Sequence, residues 1–140
     1  MRGLILAGCL LAALAGCGSR EVPWGSVSGT ITRDGQPVEP AWVLFSNREA
    51  GVEIMTEADA EGRFTVRTDR IAGLPVGTYR VVITPKPVNP PQPVDGMVFT
   101  GPAPLPRASR ISELEQDLAT TRLVAVITEG ENVLHLELFP

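Results

Sequence analysis

From Trp24 onward the chain changes side-chain character at every residue. Val27, Gly29 and Ile31 alternate with Ser26, Ser28, Thr30 and Thr32. A period of two fits only a strand with one buried face. Arg33-Asp34-Gly35-Gln36 follows, and Asp-Gly between β-like runs signals a tight hairpin turn. The same grammar continues. Ala41 to Ser46, Val52 to Thr56, and Phe64 with Val66 read as further strands, as do Tyr79 to Ile83, Leu123 to Thr128 and Val133 to Leu138. Turn signals separate them at Asn47–Gly51, Asp59–Gly62, Leu74–Gly77 and Glu129–Asn132. The last two strands are expected to pair with each other across that final turn. Seven short strands with turns between them predict an all-β sandwich. With 140 residues there is room for one domain.

The regular spacing breaks once, between Pro85 and Thr121. The stretch from Pro85 to Pro106 holds 8 of the 13 prolines. Proline lacks the amide donor a sheet ladder needs, so the stretch is expected to favour polyproline II. It reads either as a ligand for a polyproline-reading domain or as a stiff spacer that protects a sheet edge. After it, Ser112 and Glu115 form a capping-box pattern, and Ile111, Leu114 and Leu118 share one face of a predicted short helix.

The N-terminus has a different character. Met1-Arg2 carries one positive charge, and Leu4 to Ala15 is apolar or small without charge. That run is shorter than the ~20 residues of a spanning helix and has the form of a secretory signal. Leu-Ala-Gly-Cys occurs twice, ending at Cys9 and Cys17, the only two cysteines. The tetrapeptide at the end of such a run resembles the lipobox of bacterial lipoproteins. The resemblance implies cleavage between Gly16 and Cys17 and acylation of the Cys17 thiol. Cys9 would leave an apolar stretch of under two helical turns, so Cys17 is the expected lipidation site and Cys9 part of the discarded signal. Residues 1–16 are then signal peptide, 17–23 a short lipid-anchored tether and 24–140 the folded domain. A mature domain without cysteine excludes a thiol nucleophile, a cysteine zinc site and a disulfide scaffold. Gly18, where an aspartate would favour inner-membrane retention, points toward outer-membrane delivery in a cell that has an outer membrane.

Three blocks carry a second resemblance. "VSGTITRDGQPVEPAWVLF", "TEADAEGRF" and "GLPVGTYRVVI" resemble the carboxypeptidase regulatory-like, or transthyretin-like, β-sandwich. Val27, Gly29, Ile31, Asp34, Gly35, Pro37, Val38, Ala41, Val43 and Phe45 match its first pattern. Asp59, Gly62 and Phe64 match the second, and Leu74, Pro75, Gly77, Tyr79, Val81 and Ile83 the third. The resemblance implies a seven-stranded sandwich with a proline-rich insertion before the last two strands. It implies a non-catalytic folding, adhesive or binding module. The matched residues are scaffold residues, and a shared fold transfers no function.

Chemistry-bearing residues are sparse. Net charge is −4 without a basic stripe, so nucleic acid is not an expected partner. His135, the only histidine, is expected to point outward with Glu137, away from Leu134, Leu136 and Leu138. No nucleophile elbow accompanies it. Asp59 and Glu61 with Gly62, and Glu129 and Glu131 around Gly130, lack the oxygen count of a calcium site and read as turns. No metal, cofactor or catalytic residue is expected. Trp42 and Leu44 should point outward if Ala41, Val43 and Phe45 point inward. With Met97 and Phe99 they make up the candidate binding face. Two accounts of it stay open: a sugar-stacking or partner patch, or a surface covered by the apolar run Met97-Val98-Phe99. The expected function is a non-enzymatic cell-envelope lipoprotein working through protein contacts. The alternative is a glycan- or cell-wall-binding module using Trp42.

Overall fold

The computed structural model describes residues 21–68, 72–87 and 108–140. Among the described residues, nine strands appear in chain order. They are β1 (Trp24–Arg33), β2 (Gln36–Pro37), β3 (Ala41–Asn47), β4 (Val52–Ala58), β5 (Arg63–Thr65), β6 (Leu74–Pro75), β7 (Gly77–Pro85), β8 (Val124–Ile127) and β9 (Gly130–Leu138). The expected strands are present. β2 and β6 are two-residue additions, the first starting at the last residue of the Arg33–Gln36 turn and the second inside the Leu74–Gly77 turn read from sequence.

The strands form one curled sheet, in the order β9-β1-β5-β4-β3-β7-β8. β9 runs along the whole of one edge of β1, from Gly25 opposite Gly130 to Arg33 opposite Leu138. β6, β5 and β2 therefore share the other edge of β1 in succession. All pairings are antiparallel except β1 with β9, which is parallel.

That parallel pair corrects the expected final hairpin. β8 pairs with β7, and β9 leaves it to join β1. Asn132 makes the corner. Its side chain accepts from the Thr128 amide at 2.9 Å and donates to the Thr128 carbonyl at 2.8 Å, which turns the chain away from β8. Glycine permits the new pairing. A Cβ on Gly29 would lie 2.2 Å from the Leu134 carbonyl oxygen, and one on Gly25 would lie 2.1 Å from that of Thr128. Glycine within a strand commonly marks such a close backbone approach.

The Asp-Gly turn after β1 is formed as expected. Asp34 and Gly35 both have positive φ, 52° and 72°, as a two-residue hairpin of this hand requires. The alternation sorts the core. Val27 and Ile31 of β1, Ala41, Val43 and Phe45 of β3, Tyr79, Val81 and Ile83 of β7, and Leu136 and Leu138 of β9 are buried in one cluster. Phe45 is its centre, with ring centroids 5.9 Å from Phe64 and 6.4 Å from Tyr79. Full burial of a side chain of this size contributes about 1.5–3 kcal/mol. The Tyr79 hydroxyl donates to the Pro75 carbonyl at 2.8 Å, so the one polar atom of that ring is satisfied.

The predicted helix is a single 3-10 turn, Glu113–Gln116. Its capping box is present: the Ser112 amide donates to the Glu115 carboxylate at 3.0 Å, and the Ser112 hydroxyl donates to the same oxygen. The shared apolar face is not. Ile111 is buried in the core, whereas Leu114 is 56% exposed. One turn is too short to bring positions three and seven apart onto a common face.

The two ends of the sheet differ. At the Trp24 end lie the starts of β1 and β7, the end of β8 and the Gly130 turn. At the Arg33 end lie the β1–β2 hairpin, Pro40 and Lys86, whose amide donates to the Pro40 carbonyl at 2.9 Å.

Candidate binding face around Trp42

β3 enters at the Arg33 end and sends alternate residues to opposite sides. Ala41, Val43 and Phe45 are fully buried. Trp42 and Leu44 lie half-buried on the outer side. Leu44 stands opposite Met55 of β4 and Val82 of β7, giving an apolar row across three strands. Met55 is 58% exposed and Val82 only 5%. The row is thus open at the β4 side and covered at the β7 side. There the Arg80 guanidinium donates to the Leu118 carbonyl at 2.5 Å, laying the segment after the 3-10 turn against β7.

Trp42 is not bare. It stands opposite Glu57 and Thr84. The Lys86 ammonium sits 4.6 Å from its ring centroid and 2.7 Å from the Glu57 carboxylate. An ammonium over an indole face is an attractive cation–π arrangement. The group therefore combines an aromatic plane, a cation and an anion at the surface. Sequence inspection missed Lys86 and Glu57. The signal for them was that Lys86 is the only lysine in the chain and immediately follows a strand that pairs with β3.

A second cluster at the Arg33 end was also missed. Glu39 accepts from the Arg110 amide at 3.1 and 3.2 Å and from the Ser109 hydroxyl. The Arg110 guanidinium donates to the Pro37 carbonyl at 2.9 Å. The segment that returns at Ser109 is pinned beside the one that departs at Lys86. Met97 and Phe99, with the rest of the proline-rich insertion between residues 88 and 107, lie outside the described residues. So do Gly16 and Cys17.

The remaining polar candidates act within the fold. Asp59 accepts from the amides of Glu61 and Arg63, at 3.0 and 2.8 Å, and from the Arg63 guanidinium at 3.1 Å. The Arg63 amide bond is the main reason its carboxyl is held below the usual aspartate range. His135 is exposed and faces Thr30 across the parallel pair, Nδ1 to Oγ1 3.1 Å. Glu137 accepts from the Thr32 hydroxyl, and that bond, aided by the Gly35 and Asp34 amides, lowers its carboxyl. Burial raises the Tyr79 phenol. Among the described residues no buried side-chain nitrogen or oxygen lacks a hydrogen bond, and no three potential metal ligands cluster. No described helix is long and apolar enough to cross a membrane.

Comparison of the chain with protein-family models, with curated proteins and with solved structures finds no match.

Proposed function

We propose that this chain is a cell-envelope lipoprotein, cleaved before Cys17 and acylated on that thiol, which acts without catalysis as a binding or scaffold module through protein contacts. The observation that carries the reading is Leu14-Ala15-Gly16-Cys17 at the end of a charge-free apolar run, with the first strand beginning at Trp24. The finer architecture belongs to the same proposal. With β2 and β6 set aside, seven strands remain, and the proline-rich insertion precedes the last two. What supports a transthyretin-like sandwich of the carboxypeptidase regulatory-like kind is the part the resembling residues take in turns and core. Asp34-Gly35 turns a hairpin, Asp59 to Gly62 turns another, and Phe64, Tyr79, Val81 and Ile83 fill the core.

The non-catalytic reading is supported by the work the polar groups already do. Asp59 holds a turn, Glu137 holds Thr32, and His135 faces a threonine hydroxyl. The Trp42 face supports protein contacts over sugar stacking, because the Lys86 ammonium occupies one side of the indole. The alternative, a glycan-binding module, would have to stack sugar on the other side of the Trp42 indole.

Mass spectrometry of the detergent-extracted protein tests the anchor. An acylated N-terminus at Cys17 is expected, and a mature start at any other residue refutes it. For the binding role, the anchored protein is presented in parallel to purified envelope proteins and to cell-wall glycan, beside Trp42→Ser. Retention of one defined envelope protein is expected. Retention of glycan that Trp42→Ser abolishes would replace this reading with the alternative.

A further inference from the structure

We propose that the Trp24 end of the domain is a bilayer-contacting surface, with Val22, Trp24 and Val76 set in the headgroup region of the membrane that holds the Cys17 acyl chains. The inference rests on the anchor reading above. These residues are 54%, 36% and 36% exposed. They come from two segments that the fold fastens together. The Val76 amide donates to the Pro23 carbonyl at 2.9 Å, and Trp24 stands opposite Pro75 in the β1–β6 pair.

Chain length selects the occupant of this end. Four residues separate Cys17 from Val22. Five residue steps at about 3.3–3.6 Å each span at most ~18 Å. An acylated Cys17 sits at the membrane surface, so the Trp24 end cannot leave its neighbourhood. The polar layer on each side of a bilayer core is itself some 5–8 Å deep, and tryptophan favours that layer. The Arg33 end lies nine residue steps along β1, roughly 30 Å away. Trp42 is at that distal end, opposite Thr84 of β7 and beside Lys86. Glu129 and Glu131 flank the Gly130 turn beside Gly25 and are exposed. Carboxylates there make attraction to anionic lipid the wrong driving force, so contact is expected to be at least as strong on zwitterionic bilayers.

The two tryptophans make the test internal. The mature acylated protein, from Cys17 to Pro140, is reconstituted in phosphatidylcholine vesicles carrying brominated chains that quench near the headgroup. Trp42→Phe leaves Trp24 as the reporter, and Trp24→Phe leaves Trp42. Trp24 should lose most of its emission and Trp42 almost none. Val76→Glu in the Trp42→Phe background should weaken the quenching of Trp24 while flotation with vesicles is unchanged. This variant keeps the reporter and so covers the case in which Trp24→Phe fails to fold. Protein that is acylated and floats, yet shows no more quenching at Trp24 than at Trp42, overturns the contact and leaves the anchor standing. Protein that is not acylated and does not float overturns both.

Discussion

Gly29→Ala is the sharpest perturbation this fold offers. The added methyl carbon would lie 2.2 Å from the Leu134 carbonyl oxygen and 2.8 Å from the tip of the Phe64 ring. An ordinary carbon–oxygen contact needs about 3.2 Å or more, so β9 must retreat by roughly 1 Å from its normal strand spacing of ~4.8 Å. A retreat of that size stretches hydrogen bonds of ~2.9 Å beyond the range in which they hold. Losing two at about 1 kcal/mol each, with ~1–3 kcal/mol for overpacking against Phe64, gives a cost of about 3–5 kcal/mol. A domain of this size has only ~5–15 kcal/mol in total. Urea unfolding followed by far-UV circular dichroism measures the loss as a lower midpoint at unchanged slope. Gly35→Asn is the comparison. Its site has nothing within 4 Å of a new Cβ and a φ of 72°, which asparagine tolerates. It should cost under ~1 kcal/mol. A Gly29→Ala midpoint indistinguishable from that of Gly35→Asn would refute the close β1–β9 approach.

Other consequences can be measured in the same way. Tyr79→Phe removes the donor to the buried Pro75 carbonyl and should destabilise by about 1–3 kcal/mol in urea titration. Lys86→Ala should change Trp42 emission while moving stability by less than ~1 kcal/mol, because its ion pair with Glu57 is partly exposed and so screened by water. Asp59 and Glu137 have folded-state pKa values below their unfolded ones, so each stabilises the fold above the ordinary carboxylate range. That contribution is lost as pH falls through the lowered folded values. Acid titration by carboxyl-carbon NMR should place each midpoint below the ordinary value for its residue type, and Thr32→Val should return Glu137 toward the ordinary range.

The strands were legible because alternation is written one residue at a time. Val27 and Ile31 against Ser28 and Thr30 could be sorted without knowing any partner. The Asp34-Gly35 turn was legible for the same reason, since its backbone demand falls on two adjacent residues. Partners were not legible. Nothing local to Val133–Leu138 says that it joins β1 and not β8. The decision lies in the Asn132 corner and in two glycines more than a hundred residues upstream, Gly25 and Gly29. The Ser112–Glu115 pattern announced the start of a helix but not its length, which is a single 3-10 turn. The outward position of Trp42 followed from the alternation of β3. Its partners Lys86 and Glu57 did not, because they come from neighbouring elements whose register is set by turns elsewhere.

Placing the first long strand beside the last has a consequence for how the chain comes into being. Thr30 and His135 are neighbours across 105 positions. Contacts of such long range make folding slow, because a large loop must close before they return any energy. One edge of β1 stays unsatisfied until residues near Leu138 are available. A chain threaded through a membrane pore from its N-terminus therefore cannot complete the sheet partway. Local pairs such as β3–β4 could form early in such a passage, but the β1 edge would stay open until nearly all of the chain had crossed.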